Sequence, residues 1–157
     1  MLKLTRKADY GLISLKHLAL HGRTRPASAK EMAEAYRIPV PILAKVLQKM
    51  VREGFLLSEQ GTNGGYRLAR DPSEITALEV IRAIDGPIIL TTCLSRQGGA
   101  CELTNQCTVR EPLRKVHEGI LRLLDSITIS DLSSEEDAAA AGAAPGAGRV
   151  GLSVLTS

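Results

Sequence analysis

No stretch of the chain approaches the roughly 20 consecutive apolar residues that cross a bilayer. The opening MLKLTRKADYG lacks the apolar run and small-residue cleavage site of a secretory leader. Cysteine is scarce, with three residues in 157, at positions 93, 101 and 107. There is no CxxC pair, no HExxH motif, and no Ser/His/Asp or paired-carboxylate constellation. These absences argue against a membrane protein, a secreted disulfide scaffold, a zinc knuckle and a hydrolase. They predict a cytoplasmic protein that is not an enzyme, with no membrane partner and no small-molecule substrate. In a reducing compartment a cysteine cluster points to metal or redox chemistry, and an odd count leaves one thiol over after any pairing.

Charge of one sign is also missing where it would be expected. Residues 1–70 hold 13 Lys and Arg against only 5 Asp and Glu, whereas residues 71–157 hold 7 against 12. The net charge of +3 hides this asymmetry. A basic first half joined to an acidic second half predicts a polyanionic partner for the first half alone.

What is present begins with a helix over residues 5–20, its stripe formed by Leu4, Ala8, Leu12, Leu15 and Ala19 at three- and four-residue spacing. His17 and His21, one turn apart, lack a third ligand and read as surface or packing residues. Ser28-Ala29-Lys30-Glu31 is a capping-box pattern opening a short helix with Met32, Ala33 and Tyr36 as core contacts. Arg37-Ile38-Pro39 ends it. Pro41 suits the first turn of the next helix, which runs to about Glu53 with Gly54 after it. Ile42, Leu43, Val46, Leu47 and Met50 are its apolar positions, and Lys45, Gln48, Lys49 and Arg52 its polar face. Phe55 to Glu59 and Tyr66 to Ala69 read as two strands around GTNGG, whose three glycines can take positive φ. A helix-turn-helix followed at once by such a hairpin is a winged helix. Its wing tip, Gln60 to Gly65, would reach the minor groove, with Arg67 and Arg70 near the DNA backbone.

Thr76-Ala77-Leu78-Glu79 is a second capping box, stapled by Ile75 and Val80, and its helix ends at Asp85 before Gly86-Pro87. Thr108-Val109-Arg110-Glu111 is a third, opening the longest helix. Val109, Leu113, Val116, Ile120, Leu123 and Ile127 make a seam of alternating four- and three-residue steps along it. Two-fold readers of paired half-sites need such a dimer helix. Gly119 marks a place on it where another backbone comes close. The fold class is therefore mainly α with a small β-hairpin wing: a winged helix-turn-helix plus a long dimerisation helix. The expected organisation is a DNA-binding domain over residues 1–86, a cysteine loop and dimerisation helix over 87–132, and a disordered Ala/Gly-rich tail over 133–157.

Between the last two helices lies CLSRQGGACELTNQC, Cys93 to Cys107, with seven residues and then five between its cysteines. Zinc wants four tetrahedral ligands, commonly in closely spaced pairs that are absent here. A thiol switch wants a thiol near a cation, which Arg96 or Arg110 could supply, and leaves the third cysteine surplus. An iron–sulfur cluster tolerates wide spacing and needs one ligand more than the loop holds. The residues alone leave these open.

The opening LTRKADYGL, the block LAKVLQKMVREGFLLSEQGTNGGYRLAR and the cysteine triplet before a long helix closely resemble the bacterial iron–sulfur winged-helix transcriptional regulators typified by IscR and NsrR. The DYGL of Asp9 to Leu12 is similar to that of members linked to Suf cluster assembly. The resemblance covers residues 1–132. It implies a repressor of cluster-assembly or stress-response genes, a homodimer on a double-stranded DNA operator, and a [2Fe-2S] or [4Fe-4S] cluster held by Cys93, Cys101 and Cys107. Where Isc-type members carry a fourth-ligand histidine this chain has Arg110, and His117 lies ten residues beyond Cys107. The nitric-oxide sensors use an aspartate of the partner chain, and Asp9 aligns with it. The DNA-binding residues it implies are Ser28, Lys30, Pro41, Ala44, Lys45, Gln48, Lys49, Arg52, Gln60, Gly61, Gly64, Tyr66 and Arg67. Of these, Lys45, Lys49 and Arg52 suit phosphates, Gln48 an adenine and Ala44 a thymine methyl. Ala44 and Gln60 stand where the Isc regulator has glutamate and arginine, so that regulator's operator sequence does not carry over to this chain.

Overall fold

Thr5 is the cap of the first helix, not part of it: its side-chain oxygen accepts the Ala8 N–H at 3.3 Å. The structure, a computed structural model, describes residues 3–94, 101–103 and 105–134. Within them run α1 (Arg6–His21), α2 (Ala29–Tyr36), α3 (Val40–Arg52), β1 (Leu56–Glu59), β2 (Gly65–Leu68), α4 (Ala77–Asp85) and α5 (Arg110–Ser126). This is the mainly helical, winged helix-turn-helix arrangement that the sequence predicts.

The core lies between α1, α3 and α4. Leu15, Leu43 and Leu47 are fully buried there, each contributing roughly 1.5–3 kcal/mol. The α1 stripe is only partly sunk, since Leu12 and Ala19 are half-buried and Leu4 is exposed. Gly11 permits the close packing of α1 on α4: a Cβ on it would lie 2.3 Å from Ile84 Cδ1.

Local signals in the sequence set some helix ends and not others. Thr76 and Glu79 cap α4 reciprocally, at 3.2 and 3.1 Å. Ser28 accepts the Glu31 N–H at 3.1 Å, but the Glu31 carboxylate turns away to the Arg25 guanidinium, so the second half of that box is not made. A bidentate charged pair outcompetes a backbone amide for the same oxygens. Thr108 does not cap α5 either. The cap position falls on Val109 without a side-chain bond, and Glu111 pairs with Arg114 instead. Tyr36, expected in the core, is 40% exposed. Arg37 ends α2 in the left-handed region, φ 54°.

The two strands pair antiparallel from Leu56 opposite Leu68 to Glu59 opposite Gly65. Of the three turn glycines only Gly61 takes a positive φ, 116°. Gly65 is needed for a different reason, because a Cβ on it would sit 2.5 Å from the Ala27 carbonyl oxygen. That approach lets Tyr66 N–H donate to Ala27 O at 2.8 Å and Ala27 N–H to Tyr66 O at 3.2 Å, which fastens the base of the wing beside the α2 cap.

Among the described residues none of α5 is fully buried, and Val109, Val116 and Leu123 are 55%, 52% and 62% exposed. Among the described residues nothing lies within 4 Å of a Cβ built on Gly119, so no backbone of this chain makes the expected close approach there. Val109 and Ile127, the two ends of the predicted seam, fall just outside the helix. Beyond it the chain returns to the core, which the sequence reading did not foresee. Ala77 N–H donates to Ile127 O at 2.8 Å, Ile129 N–H donates to Ile75 O at 2.9 Å, and Ile129 is fully buried at the head of a helical segment over 129–134. The tail expected from 133 onward lies, past residue 134, outside the described residues. Among the described residues no helix is long and apolar enough to cross a membrane.

Candidate nucleic-acid interface and cysteine loop

α3 divides its residues between the core and solvent. Leu43, Val46, Leu47 and Met50 are buried. Pro41, Lys45, Gln48 and Arg52 are exposed on the other side, with Ala44 half-exposed among them. Lys45 and Arg52 make no ion pair among the described residues. Lys49, placed by its spacing on this face, is half-buried, and its Nζ donates to the Ile84 carbonyl at the end of α4, 3.0 Å away. The last carbonyls of a helix lack intrahelical partners and carry its negative end, so an ammonium there is favourable.

The remaining DNA-binding candidates cluster around the α2 cap and the wing. The Ala27–Tyr66 bridge brings Tyr66 beside Ser28, while Lys30 is exposed and 3.9 Å from Glu34. Gln60 and Gly61 are exposed at the wing tip and Gly64 is half-buried behind them. Arg67 is turned inward. Its Nε donates to Glu59 at 2.6 Å and its NH1 to the Gly22 carbonyl at 3.1 Å, so it braces the wing against the end of α1. Arg70 is likewise engaged, with Glu79 and the Glu74 carbonyl. Sequence spacing gives the direction of a side chain but not the partner it meets.

The cysteine loop leaves α4 at Gly86, φ 85°. Cys93 is half-buried in a 3-10 turn, its sulfur 3.2 Å from Thr91 Oγ1. Cys101 is exposed, Cys107 half-buried, and none of the three is in a disulfide. The intervening residues 95–100, with Arg96, and residue 104 lie outside the described residues. Asp9, in the first turn of α1, is exposed and its carboxylate has no hydrogen bond or ion pair among the described residues. Arg110 is exposed at the start of α5, and His117 Nδ1 is buried without a partner among the described residues. No three His, Cys, Asp or Glu side chains among the described residues converge on one metal position. Three thiols and an open carboxylate on separate segments are a donor set of the kind that suits a cluster of several irons, chemically soft on one side and oxygen on the other.

Loop and reading helix meet at the end of α4. Thr5 N–H and Oγ1 donate to the two Asp85 oxygens at 3.1 and 2.5 Å, fixing the first turn of α1 to the residue before Gly86. One residue earlier, Ile84 holds Lys49 of α3. The helix of Asp9, the root of the cysteine loop and α3 therefore share one junction. Thr5, Ile84 and Asp85 were not singled out from the sequence, where only the ST-type cap at Thr5 could have drawn notice.

A second polar cluster lies at the other end of α1. His17 is buried, its Nδ1 is 3.0 Å from the Tyr36 hydroxyl, and its ring packs edge-on to Tyr36 and 4.8 Å from that of His21. Burial, then the neighbouring His21, holds the His17 pKa below the ordinary 6.5, with Arg25 acting the same way and Glu31 opposing. The folded state therefore favours neutral His17. Its contribution to stability is complete above about pH 6.5 and is lost as pH falls below that toward the folded-state value. Thermal midpoints should drop across that window, and less steeply in His17→Gln; parallel curves for the two proteins would remove His17 from the account.

Residues 4–135 match the family described as "Rrf2: Iron-dependent Transcriptional regulator". The chain is 33% identical over 136 residues to the HTH-type transcriptional regulator NsrR of Shouchella clausii, spanning 87% of this chain and 91% of that one. Its fold is similar to T. potens IscR, with TM-score 0.68 and 30% identity over 92% of this chain and 94% of that one. It is also similar to CymR, the global cysteine regulator of B. subtilis, with TM-score 0.64 and 29% identity over 86% and 98%. With its winged helix and its basic reading helix, this chain belongs to the Rrf2 family: it is a DNA-binding transcriptional regulator and not an enzyme.

Proposed function

We propose that the chain is a homodimeric repressor in the cytoplasm that senses iron–sulfur, redox or nitric-oxide status. Cys93, Cys101 and Cys107 would hold a [2Fe-2S] or [4Fe-4S] cluster, with the partner subunit's Asp9 as the fourth donor. A cluster held there would supply iron and sulfide that oxidants or nitric oxide can attack. The observation that carries this reading is the junction at the end of α4, where Asp85 holds Thr5 and Ile84 holds Lys49. An aspartate engaged across the dimer would restrain the first turn of α1, Thr5 would pass that restraint to Asp85, and Lys49 would pass it to α3. Two ligands coupled through one element alter each other's affinity by the same factor.

On the DNA, α3 would enter the major groove, with Gln48 and Ala44 toward base edges and Lys45 and Arg52 toward phosphates. Ser28, Lys30 and Tyr66 would flank it, and Gln60, Gly61 and Gly64 would approach the minor groove. Lys49 and Arg67 would act from behind this surface through the contacts they make in the folded chain, and Pro41 would start the helix at the right place.

The test compares cluster-loaded and cluster-free dimer, both prepared without oxygen, on one operator duplex at one salt concentration. Coupling of ordinary size predicts an affinity difference of about 5- to 150-fold. Equal affinities would sink the sensing role and leave DNA binding intact. A colourless, iron-free protein whose operator affinity follows thiol oxidation would establish a cluster-free thiol switch in its place.

A further inference from the structure

A groove of about 390 Å³ runs between the first turn of α1 and the outer face of α3, and four cations line it: Lys7, Lys45, Lys49 and Arg52. No carboxylate is among the lining residues, which otherwise comprise Gln48 and apolar side chains. Several cations elsewhere on the surface are paired with carboxylates, as Arg25 is with Glu31, Arg67 with Glu59 and Arg114 with Glu111. Lys7, Lys45 and Arg52 have none among the described residues. Asp85, which follows the groove-lining Ile84 at the end of α4, spends both oxygens on Thr5. Lys49 uses its ammonium on the Ile84 carbonyl but leaves its charge at the groove wall. Like charges gathered without counter-charge are unfavourable unless a polyanion is to be bound.

We propose that Lys7 is a DNA phosphate contact, so that α1 as well as the helix-turn-helix and wing grips the duplex, with one backbone phosphate seated between Lys7, Lys45 and Arg52. The inference rests on the DNA-binding reading and adds a residue from outside the helix-turn-helix and the wing. The two Thr5–Asp85 hydrogen bonds set the position of the turn that carries Lys7, so little of that turn has to be ordered on binding. Lys7 is also two residues from Asp9, which puts a phosphate contact on the very turn that the sensing role would restrain.

The experiment measures affinity against potassium chloride concentration for the full-length protein on two duplexes. One is an operator obtained by repeated selection from random sequence with the purified protein, and the other is a mixed-sequence duplex. Lys7→Ala should weaken binding to both by a similar factor and flatten the log–log salt slope by about one unit, with an unchanged thermal midpoint. Lys7→Arg should keep the parental slope, and Lys115→Ala, on exposed α5, should change nothing. An unaltered slope in Lys7→Ala, with a flattened one in Arg52→Ala, would overturn the Lys7 contact and retain DNA binding by α3. A wild-type protein without salt-dependent affinity for either duplex would overturn the DNA reading itself. Inorganic phosphate, titrated calorimetrically at constant ionic strength, separates the duplex from a small anion. No saturable binding supports the DNA assignment, and saturable binding that Lys7→Ala abolishes would reassign the groove to free phosphate.

Discussion

If the proposed cluster is bound, Cys107→Ser purified without oxygen will be colourless, with iron and sulfide reduced at least about tenfold, while its thermal midpoint matches that of the cluster-free parent. The expectation follows from where the sulfur lies. Cys107 is half-buried in the loop before α5 and takes no part in the core formed by α1, α3 and α4. Replacing sulfur by oxygen there costs the fold little. A serine hydroxyl, by contrast, is too weakly acidic to replace a thiolate donor. Cys93→Ser and Cys101→Ser should behave alike, because three thiolates acting as one set do not contribute additively. The proposed partner-chain donor gives a graded counterpart: Asp9→Ala should load a cluster that is lost faster, since three thiolates remain. A Cys107→Ser protein with undiminished iron and sulfide would remove that thiol from the ligand set.

If α5 forms the proposed dimer, Leu123→Asp will leave a monomer and weaken operator binding by roughly 100-fold or more. Leu123 is 62% exposed and Val116 52% exposed, on a helix none of whose residues is fully buried. Leu113 and Ile120 lie half-buried along the same line. Such a stripe on a charged helix is stabilised only when a second copy covers it, and an aspartate there would face apolar side chains and, across a two-fold axis, its own copy. Dissociation removes the linked second half-site, and that linkage is the source of the affinity loss. Sedimentation equilibrium reads the oligomeric state and anisotropy reads the affinity. A Leu123→Asp dimer would place the interface on another surface, and a monomer with parental affinity would show that one winged helix suffices. The Ile129 anchor is distinct from this seam and should keep the variant folded, because Ile129 is buried against the first core and bonded to Ile75.

Much of the reading surface was legible because its signals are local. The proline at the start of α3, the glycine after it and the alternation of Leu43, Val46, Leu47 and Met50 with Lys45, Gln48 and Arg52 depend on residues within a turn or two. The Thr76 capping box succeeded for the same reason, and its counterparts failed where a competing cation stood nearby. Arg25 took Glu31, and Arg114 took Glu111. The capping pattern names a possible acceptor, and whichever donor lies closer in space decides its use.

Alone, the sequence determined the winged helix-turn-helix, the family, the three thiols on one loop and an apolar stripe along the last long helix. These follow from periodicity, turn chemistry and the types of residue present. Only the tertiary structure decided that Lys49 turns to the end of α4, that Arg67 braces the wing, that Thr5 is held by Asp85, and that Ile129 returns to the core. Each of those contacts joins residues 35 to 80 positions apart or segments separated by the whole of α5. At such separations a side chain's partner is set by where packing brings two backbones together, and no local pattern encodes that position.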